Sequence, residues 1–144
     1  MSLIRLLLNL LWIVTGGLWM AAAWIIAAAI MVLTIVGIPW ASAAVRIAAF
    51  TLLPFGHRAV RRDRFTGVHD LGTGPLGVLG NVVWLVLAGW WLALCHLAAA
   101  IVLALTVIGL PFAWAHLKLA GLALWPIGTE IVPVHAAPTF RRSY

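Results

Sequence analysis

The sequence contains very few charged residues, and only three of its 144 residues are acidic. Charged residues make up 8% of the chain, whereas hydrophobic residues make up 65%. A water-soluble domain of this length needs far more polar surface to cover its core. The apolar runs 6–40 and 76–114 contain no Asp, Glu, Lys or Arg, and each exceeds the ~20 residues that a spanning helix needs. The composition therefore predicts an integral membrane protein.

The scarcity of reactive residue types argues against most kinds of chemistry. Asp63, Asp70 and Glu130 all lie outside the apolar runs, whereas a small proton-coupled exporter is expected to place a carboxylate within a span. The single Cys95 lies inside an apolar run and cannot form an internal disulfide. The sequence shows no nucleophile–base arrangement and no phosphate-binding glycine loop. We therefore predict a non-enzymatic protein with no cofactor and no metal.

The sequence does contain one segment twice. Residues 9–60 align without a gap with residues 81–132, at a constant offset of 72, and 19 of the 52 aligned positions are identical. The identical pairs include Asn9/Asn81, Trp12/Trp84, Gly17/Gly89, Thr34/Thr106, Gly37/Gly109, Pro39/Pro111, Pro54/Pro126 and Gly56/Gly128. We predict a first repeat at 9–60, a basic linker at 61–80, a second repeat at 81–132 and a tail at 133–144. Such duplication is typical of membrane proteins built from two like units.

Each repeat is predicted to be a helical hairpin. A long apolar arm leads into the connection Thr-Ile-Val-Gly-Ile-Pro or Thr-Val-Ile-Gly-Leu-Pro, and a shorter second arm runs to Pro-x-Gly. Gly37 and Gly109 suit the end of the first helix, and Pro39 and Pro111 suit the start of the second. The predicted fold class is therefore all-α, with two tandem hairpins that run parallel and about four membrane segments.

The length of the second arm leaves two paths open. From Pro39 to Pro54 there are 16 residues, which span roughly 24 Å of helix, whereas the hydrocarbon core is about 30 Å thick. One possibility is that the second arm crosses fully while the opening turns of the first arm lie in the interface. The other is a short re-entrant or interfacial helix. We prefer the full crossing.

The basic residues predict the orientation of the chain. Arg5 precedes the first repeat, and both hairpin tips are uncharged. The linker has the cluster Arg58, Arg61, Arg62 and Arg64, and the tail has Arg141 and Arg142. If all four segments cross, the positive-inside rule places the N-terminus, the linker and the C-terminus in the cytoplasm. The net charge of +6 is therefore assigned to membrane orientation, and no nucleic-acid-binding motif accompanies it.

Arg46 and Lys118 occupy equivalent positions near the middle of the second arms. A cation inside a membrane segment costs about 2.5–3.5 kcal/mol on insertion scales, so it normally faces protein or water. The two residues either line a water-filled path, which would attract anions, or extend toward lipid phosphates with their stems in apolar surroundings. We prefer the second interpretation, and both make Arg46 and Lys118 the main candidate site.

The remaining polar candidates inside the predicted segments are His96, His116, Asn9 and Asn81. The histidines have no companion ligands for a metal. A satisfied or interface-facing histidine is preferred over a proton relay. The nine tryptophans are expected to form interfacial belts and to pack between helices.

Short motifs surround the turns of both repeats. They are GWWLALCHL at 89–97, TVIGLP at 106–111 and LALWPIG at 122–128, with weaker echoes TIVGIP and TLLPFG in the first repeat. Together these motifs resemble the YccF family of small bacterial inner-membrane proteins, and the resemblance extends over about residues 4–134. It implies an inner-membrane location and two copies of an inner membrane component domain. It implies no catalytic or binding residues.

Two functions fit these observations. The first is a non-conducting, multi-pass membrane component that binds a partner protein or a lipid and presents the linker arginines on its cytoplasmic face. The alternative is a homo-oligomeric channel or transport component with Arg46 and Lys118 near the path, because a four-span chain encloses little space of its own. We expect the lipid bilayer as a partner, assembly into a homo-oligomer and a role for a membrane-protein partner, with no nucleic acid.

Overall fold

The computed structural model describes residues 3–139 and shows two helical hairpins. The first hairpin consists of helix α1 (Leu3–Trp12), a π-helical segment (Ile13–Gly17), helix α2 (Leu18–Leu33) and the returning helix α3 (Ile38–Leu52). After strand β1 (His57–Arg61) and the short helix α4 (Arg62–Thr66), the second hairpin consists of α5 (Pro75–Trp84), a π-helical segment (Leu85–Gly89), α6 (Trp90–Ala104) and α7 (Leu110–Leu124). Strand β2 (Thr129–Pro133) follows it. The mostly helical, duplicated architecture is confirmed.

The long arms and the short arms differ as the sequence predicts. Leu3–Leu33 and Pro75–Ala104 are each long and apolar enough to cross a membrane, whereas Ile38–Leu52 and Leu110–Leu124 are shorter apolar helices. The first arm begins to pair with the second at Asn9, whose side chain reaches the backbone of Phe55. The excess length of the first arm therefore lies at its start, beyond the end of the second arm. The number of membrane crossings stays a prediction.

The two short strands are a feature that the all-α prediction lacks. Strands β1 and β2 pair in antiparallel register, from His57 opposite Pro133 to Arg61 opposite Thr129. At the centre, Ala59 pairs with Ile131, which is its own equivalent in the other repeat. A two-fold rotation that exchanges the repeats therefore maps the ladder onto itself. The strands went unpredicted because each is five residues long and finds its partner only in the other repeat.

The predicted basic linker contains ordered structure. Helix α5 already begins at Pro75, after Gly74 at its N-cap, so the last six residues of the predicted linker (75–80) are helical. Proline suits the first turn of a helix because no intrahelical partner is needed for its missing N–H. Between α4 and α5, Gly72 is buried against the second hairpin.

The core lies between the two hairpins and is filled by large side chains. Trp12, Trp24, Met31 and Trp84 are at most 1% exposed. The rings of Trp24 and Trp84, which come from different hairpins, stack with their centroids 5.3 Å apart. These tryptophans pack between helices, whereas Trp19, Trp90, Trp114 and Trp125 are exposed. The packing of tryptophan between helices is thus observed, and the interfacial belt stays a prediction for the exposed tryptophans.

Candidate functional site

Two asparagines join the first arm of each hairpin to the turn where the chain leaves it. Asn81 Nδ2 donates to the carbonyl oxygens of Ile127 (3.0 Å) and Gly77 (2.9 Å), and its Oδ1 accepts the N–H of Ile127 (3.0 Å). Asn9 makes the equivalent pair of hydrogen bonds with Phe55, both 3.1 Å. The asparagines that the sequence offers as intramembrane polar candidates therefore have a structural role, which is to hold the exit turns (54–56 and 126–128).

About one turn further along, both repeats have a tryptophan, Trp12 or Trp84, that binds the end of the second arm. Trp12 Nε1 donates to the carbonyl of Thr51 (2.6 Å), and Trp84 Nε1 donates to that of Ala123 (2.7 Å). Both acceptors belong to the last turn of a helix, where carbonyls have no partner within the helix. Each repeat thus uses Asn and Trp to satisfy the end of its second arm, and their identity in both repeats is the sequence signal that could have found them.

The predicted turn residues lie at the turns, with one change of role. Gly56 and Gly128 have φ of 111° and 87°, a conformation that a residue with a side chain rarely adopts. Pro54 and Pro126 precede them in the exit turns. At the tips, Gly37 and Gly109 do not end the first helix in a left-handed conformation but stand at the N-cap of the next, one residue before Ile38 or Leu110 and two before Pro39 or Pro111. A Cβ on Gly37 would lie 2.5 Å from the carbonyl oxygen of Met31, so close packing requires this glycine.

The structure brings His96 and His116 together, which the sequence does not predict. Both are buried, and their Nδ1 atoms lie 3.0 Å apart. Trp24 Nε1 donates to His96 Nε2 (3.1 Å), and an indole N–H can only donate. His96 therefore has its proton on Nδ1 and donates it to His116 Nδ1. His116 then has its proton on Nε2, a buried atom without a hydrogen-bond partner among residues 3–139. Gly16, in the first π-helical segment, faces this atom.

This chain of donors predicts the tautomers of the two histidines. We expect neutral His96 protonated on Nδ1 and neutral His116 protonated on Nε2. Solid-state ¹⁵N NMR of histidine-labelled protein in lipid distinguishes protonated from unprotonated ring nitrogens, and His57, His69 and His135 are removed by substitution to simplify the spectrum. A His96 protonated on Nε2 would contradict the hydrogen bond from Trp24.

Arg46 and Lys118 each line a cleft between the two hairpins. The Lys118 cleft lies between α7 and the exit turn and first strand of the other repeat, with Phe55, His57 and Arg58 opposite Lys118. The Arg46 cleft lies between α3 and the other exit turn, with Ile127 on its far side. Since Ile127 is the equivalent of Phe55, the repeat symmetry relates the two clefts.

The two clefts differ in size because the linker occupies one of them. The Lys118 cleft has a volume of about 550 Å³ and the Arg46 cleft about 130 Å³. The linker residues Asp70, Leu71 and Gly72 line the smaller one. Accordingly, Arg46 is half-buried, whereas Lys118 is exposed. Sequence reasoning found both cations but not their clefts, since each cleft depends on contacts between repeats.

The linker arginines are largely engaged within the chain. Arg58 donates to the carbonyl of Ala136 (3.0 Å), and Arg61 lies 3.4 Å from Asp63. Arg62 lies 2.9 Å from the Asp70 carboxylate and 3.8 Å from that of Glu130. Arg64 is exposed on α4, and Arg141 and Arg142 lie outside the described residues. The structure therefore offers a basic surface with fewer free cations than the predicted cluster.

No group of three or more His, Cys, Asp or Glu that could hold a metal ion lies within residues 3–139.

Comparison with known proteins identifies the family. The family model of YccF, described as "Inner membrane component domain", matches residues 7–57 and again residues 79–129. The chain belongs to the YccF family. The two YccF matches fall on the two hairpins.

Two YccF relatives extend over nearly the whole chain. Inner membrane protein YccF of Escherichia coli (strain K12) is 33% identical over 142 residues, which cover 96% of this chain and 95% of that protein. The protein of the same name from Shigella flexneri gives the same values. No solved structure matches the chain. The relatives and the two long apolar helices support an inner-membrane location, and the YccF description is that of a membrane component.

Proposed function

We propose that this YccF protein is a non-enzymatic, multi-pass component of the inner membrane that binds an acidic phospholipid in the Lys118 cleft. Four crossings, with the N-terminus, linker and C-terminus in the cytoplasm, agree with uncharged hairpin tips and basic flanks. The single observation on which the proposal rests is an open cleft that combines cations with a long apolar wall. Assembly into a homo-oligomer is part of this proposal.

The charges in the Lys118 cleft favour an anionic ligand. Lys118, Arg58 and His57 line it, and no acidic side chain among residues 3–139 does. The Lys118 Nζ lies 5.3 Å from the centre of the Trp114 ring, so the negative face of the ring stabilises the charged ammonium at the cleft. Phosphate oxygens accept hydrogen bonds from Lys and Arg, and these charge-assisted bonds are stronger than neutral ones.

The shape and the walls of the cleft favour a lipid over a free anion. Its α7 wall is one helix stripe from Pro111 to Trp125, with Trp114 and Leu122 between them. This stripe presents apolar surface that an acyl chain can cover, and the polar end of the cleft lies at strand β1 with His57. A ligand with a charged head and an apolar tail satisfies both ends of the cleft.

The channel alternative requires a path between copies of the chain. The side chains of Trp12, Trp24, Trp84 and the two histidines are buried at the centre of the chain, where a path through a single copy would have to run. Arg46 and Lys118 lie in separate, symmetry-related clefts between the hairpins. A conducting ring would have to bring the Lys118 clefts of several copies together, and no contact among the described residues favours that arrangement over lipid binding.

Replacing Lys118 by glutamine should weaken binding of phosphatidylglycerol about fivefold, because one basic residue near a charged membrane surface contributes about 1 kcal/mol. Native mass spectrometry of the purified chain, titrated with phosphatidylglycerol or phosphatidylcholine, measures the bound fraction. Lys118→Arg keeps the charge and should retain binding.

The equivalent variant, Arg46→Gln, is the matched control because its cleft is closed by the linker. It should change phosphatidylglycerol binding by less than about twofold. Unchanged binding in Lys118→Gln, or equal losses in both variants, would show that the open cleft is not the lipid site.

A further inference from the structure

We infer that the Arg46 cleft is a second site for an acidic phospholipid headgroup, which the linker occupies with the Asp70 carboxylate in place of the phosphate. This inference rests on the proposed function of the Lys118 cleft. The second site cannot bind lipid as long as the linker is docked in it, so the linker and the lipid compete for the Arg46 cleft.

The two clefts are built from the same parts. The pairs Pro39/Pro111, Ala43/Ala115, Arg46/Lys118 and Ile127/Phe55 line them at equivalent positions. Each therefore has one cation in the middle of a second arm, facing the exit turn of the other repeat. A headgroup that binds Lys118 in the one cleft can therefore bind Arg46, the equivalent cation, in the other.

In the Arg46 cleft an anion of the chain itself is already present. Asp70 lines this cleft, and its carboxylate lies 2.9 Å from the guanidinium of Arg62, which lines the cleft as well. The N–H of Gly72 donates to the same carboxylate (2.8 Å). One carboxylate thus pairs with Arg62 within this cleft. The residues that line the Lys118 cleft include no Asp or Glu.

The linker fits here because two glycines leave room for it. A Cβ on Gly77 or on Gly128 would collide with the carbonyl oxygen of Gly72, so the linker backbone packs directly on both. In the first repeat the equivalent of Gly77 is Arg5, whose side chain lies beside Gly56, the equivalent of Gly128. A backbone segment cannot dock there in the same way, which explains why, among residues 3–139, the linker closes the Arg46 cleft and no segment closes the other.

The closing experiment counts bound lipids. In Asp70→Asn the linker loses the charge that competes with phosphate, and we expect two phosphatidylglycerol molecules per chain by native mass spectrometry, against one in the wild type. Asp63→Asn is the matched control, because Asp63 is a linker carboxylate that pairs with Arg61 outside the cleft. Adding Arg46→Gln to Asp70→Asn should remove the second molecule and leave the first.

A second measurement needs no change at Asp70. Hydrogen exchange of the wild-type chain in nanodiscs should show faster exchange at residues 70–74 as phosphatidylglycerol replaces phosphatidylcholine, at least threefold, because lipid displaces the linker. Arg46→Gln should abolish this increase. Either protection of 70–74 that is independent of lipid or a single bound lipid in Asp70→Asn would overturn the inference.

The two proposals fail in different ways. If Lys118→Gln loses lipid and Asp70→Asn gains none, the Lys118 site stands and the second site is refuted. If Lys118→Gln binds lipid as well as the wild type does, the proposed function is refuted. An additional lipid in Asp70→Asn that depends on Arg46 would then still support the second site by itself.

Discussion

Replacing Trp84 by alanine should lower the free energy of unfolding by about 3–5 kcal/mol, the cost of removing a large aromatic side chain from a packed core. Trp84 is 1% exposed, stacks on Trp24 and donates to the carbonyl of Ala123. Its removal leaves a cavity between the hairpins and an unpaired carbonyl at the end of α7. Circular dichroism at 222 nm during SDS titration in mild detergent measures the loss.

Two further variants separate the contributions of Trp84. Trp84→Phe keeps a ring but lacks the N–H, so it should lose about 1–3 kcal/mol for the buried carbonyl left unpaired. Trp90→Ala removes an indole that is 54% exposed and should change stability by less than about 0.5 kcal/mol. If Trp90→Ala were as destabilising as Trp84→Ala, the packing between hairpins would not account for the stability of the chain.

Replacing Asn81 by leucine should lower the free energy of unfolding by about 2–4 kcal/mol, because it leaves both the N–H and the carbonyl of Ile127 buried without partners. Leucine has the same number of side-chain heavy atoms as asparagine and branches at the same carbon, so the change chiefly tests the hydrogen bonds. Asn81 also donates to Gly77, a bond that ties the turn to the start of α5. The same titration in detergent measures the effect.

Asn9→Leu gives the internal comparison for Asn81. Asn9 makes the two bonds to Phe55, and those bonds are less buried than the bonds of Asn81 to Ile127. Water can partly satisfy the freed groups of Phe55, so the loss should be smaller, about 1–2 kcal/mol. An Asn9 variant less stable than the Asn81 variant would contradict this account of the exit turns.

The hairpins could be predicted from the sequence because their signals are local. Long apolar runs predict helices, and Gly37 and Pro39 mark a turn within a few residues. The alignment of the repeats alone shows that Arg46 and Lys118, both cations, occupy the same position. The same alignment showed Asn9 to be identical in both repeats, although not what it binds.

The rest depends on contacts between residues far apart in the chain. Asn9 reaches a backbone 46 residues away, and His96 meets His116 across 20 residues. Such pairs form no periodic pattern. The sequence around a polar residue in an apolar run is therefore the same whether that residue binds a turn, a histidine or a lipid. The closing of one cleft by Asp70 is equally invisible, because it depends on where the linker folds back.

The β1–β2 ladder has a consequence for how such a chain can originate. Ala59 pairs with its own equivalent, Ile131, so the ladder has two-fold symmetry. A protein with a single repeat can form the same ladder with a second copy, as a closed homodimer with two identical, open clefts. Gene fusion supplies a connecting segment once, at one of the two junctions. The connecting segment alone is then enough to make the two originally identical clefts differ, because it closes one cleft and leaves the other open.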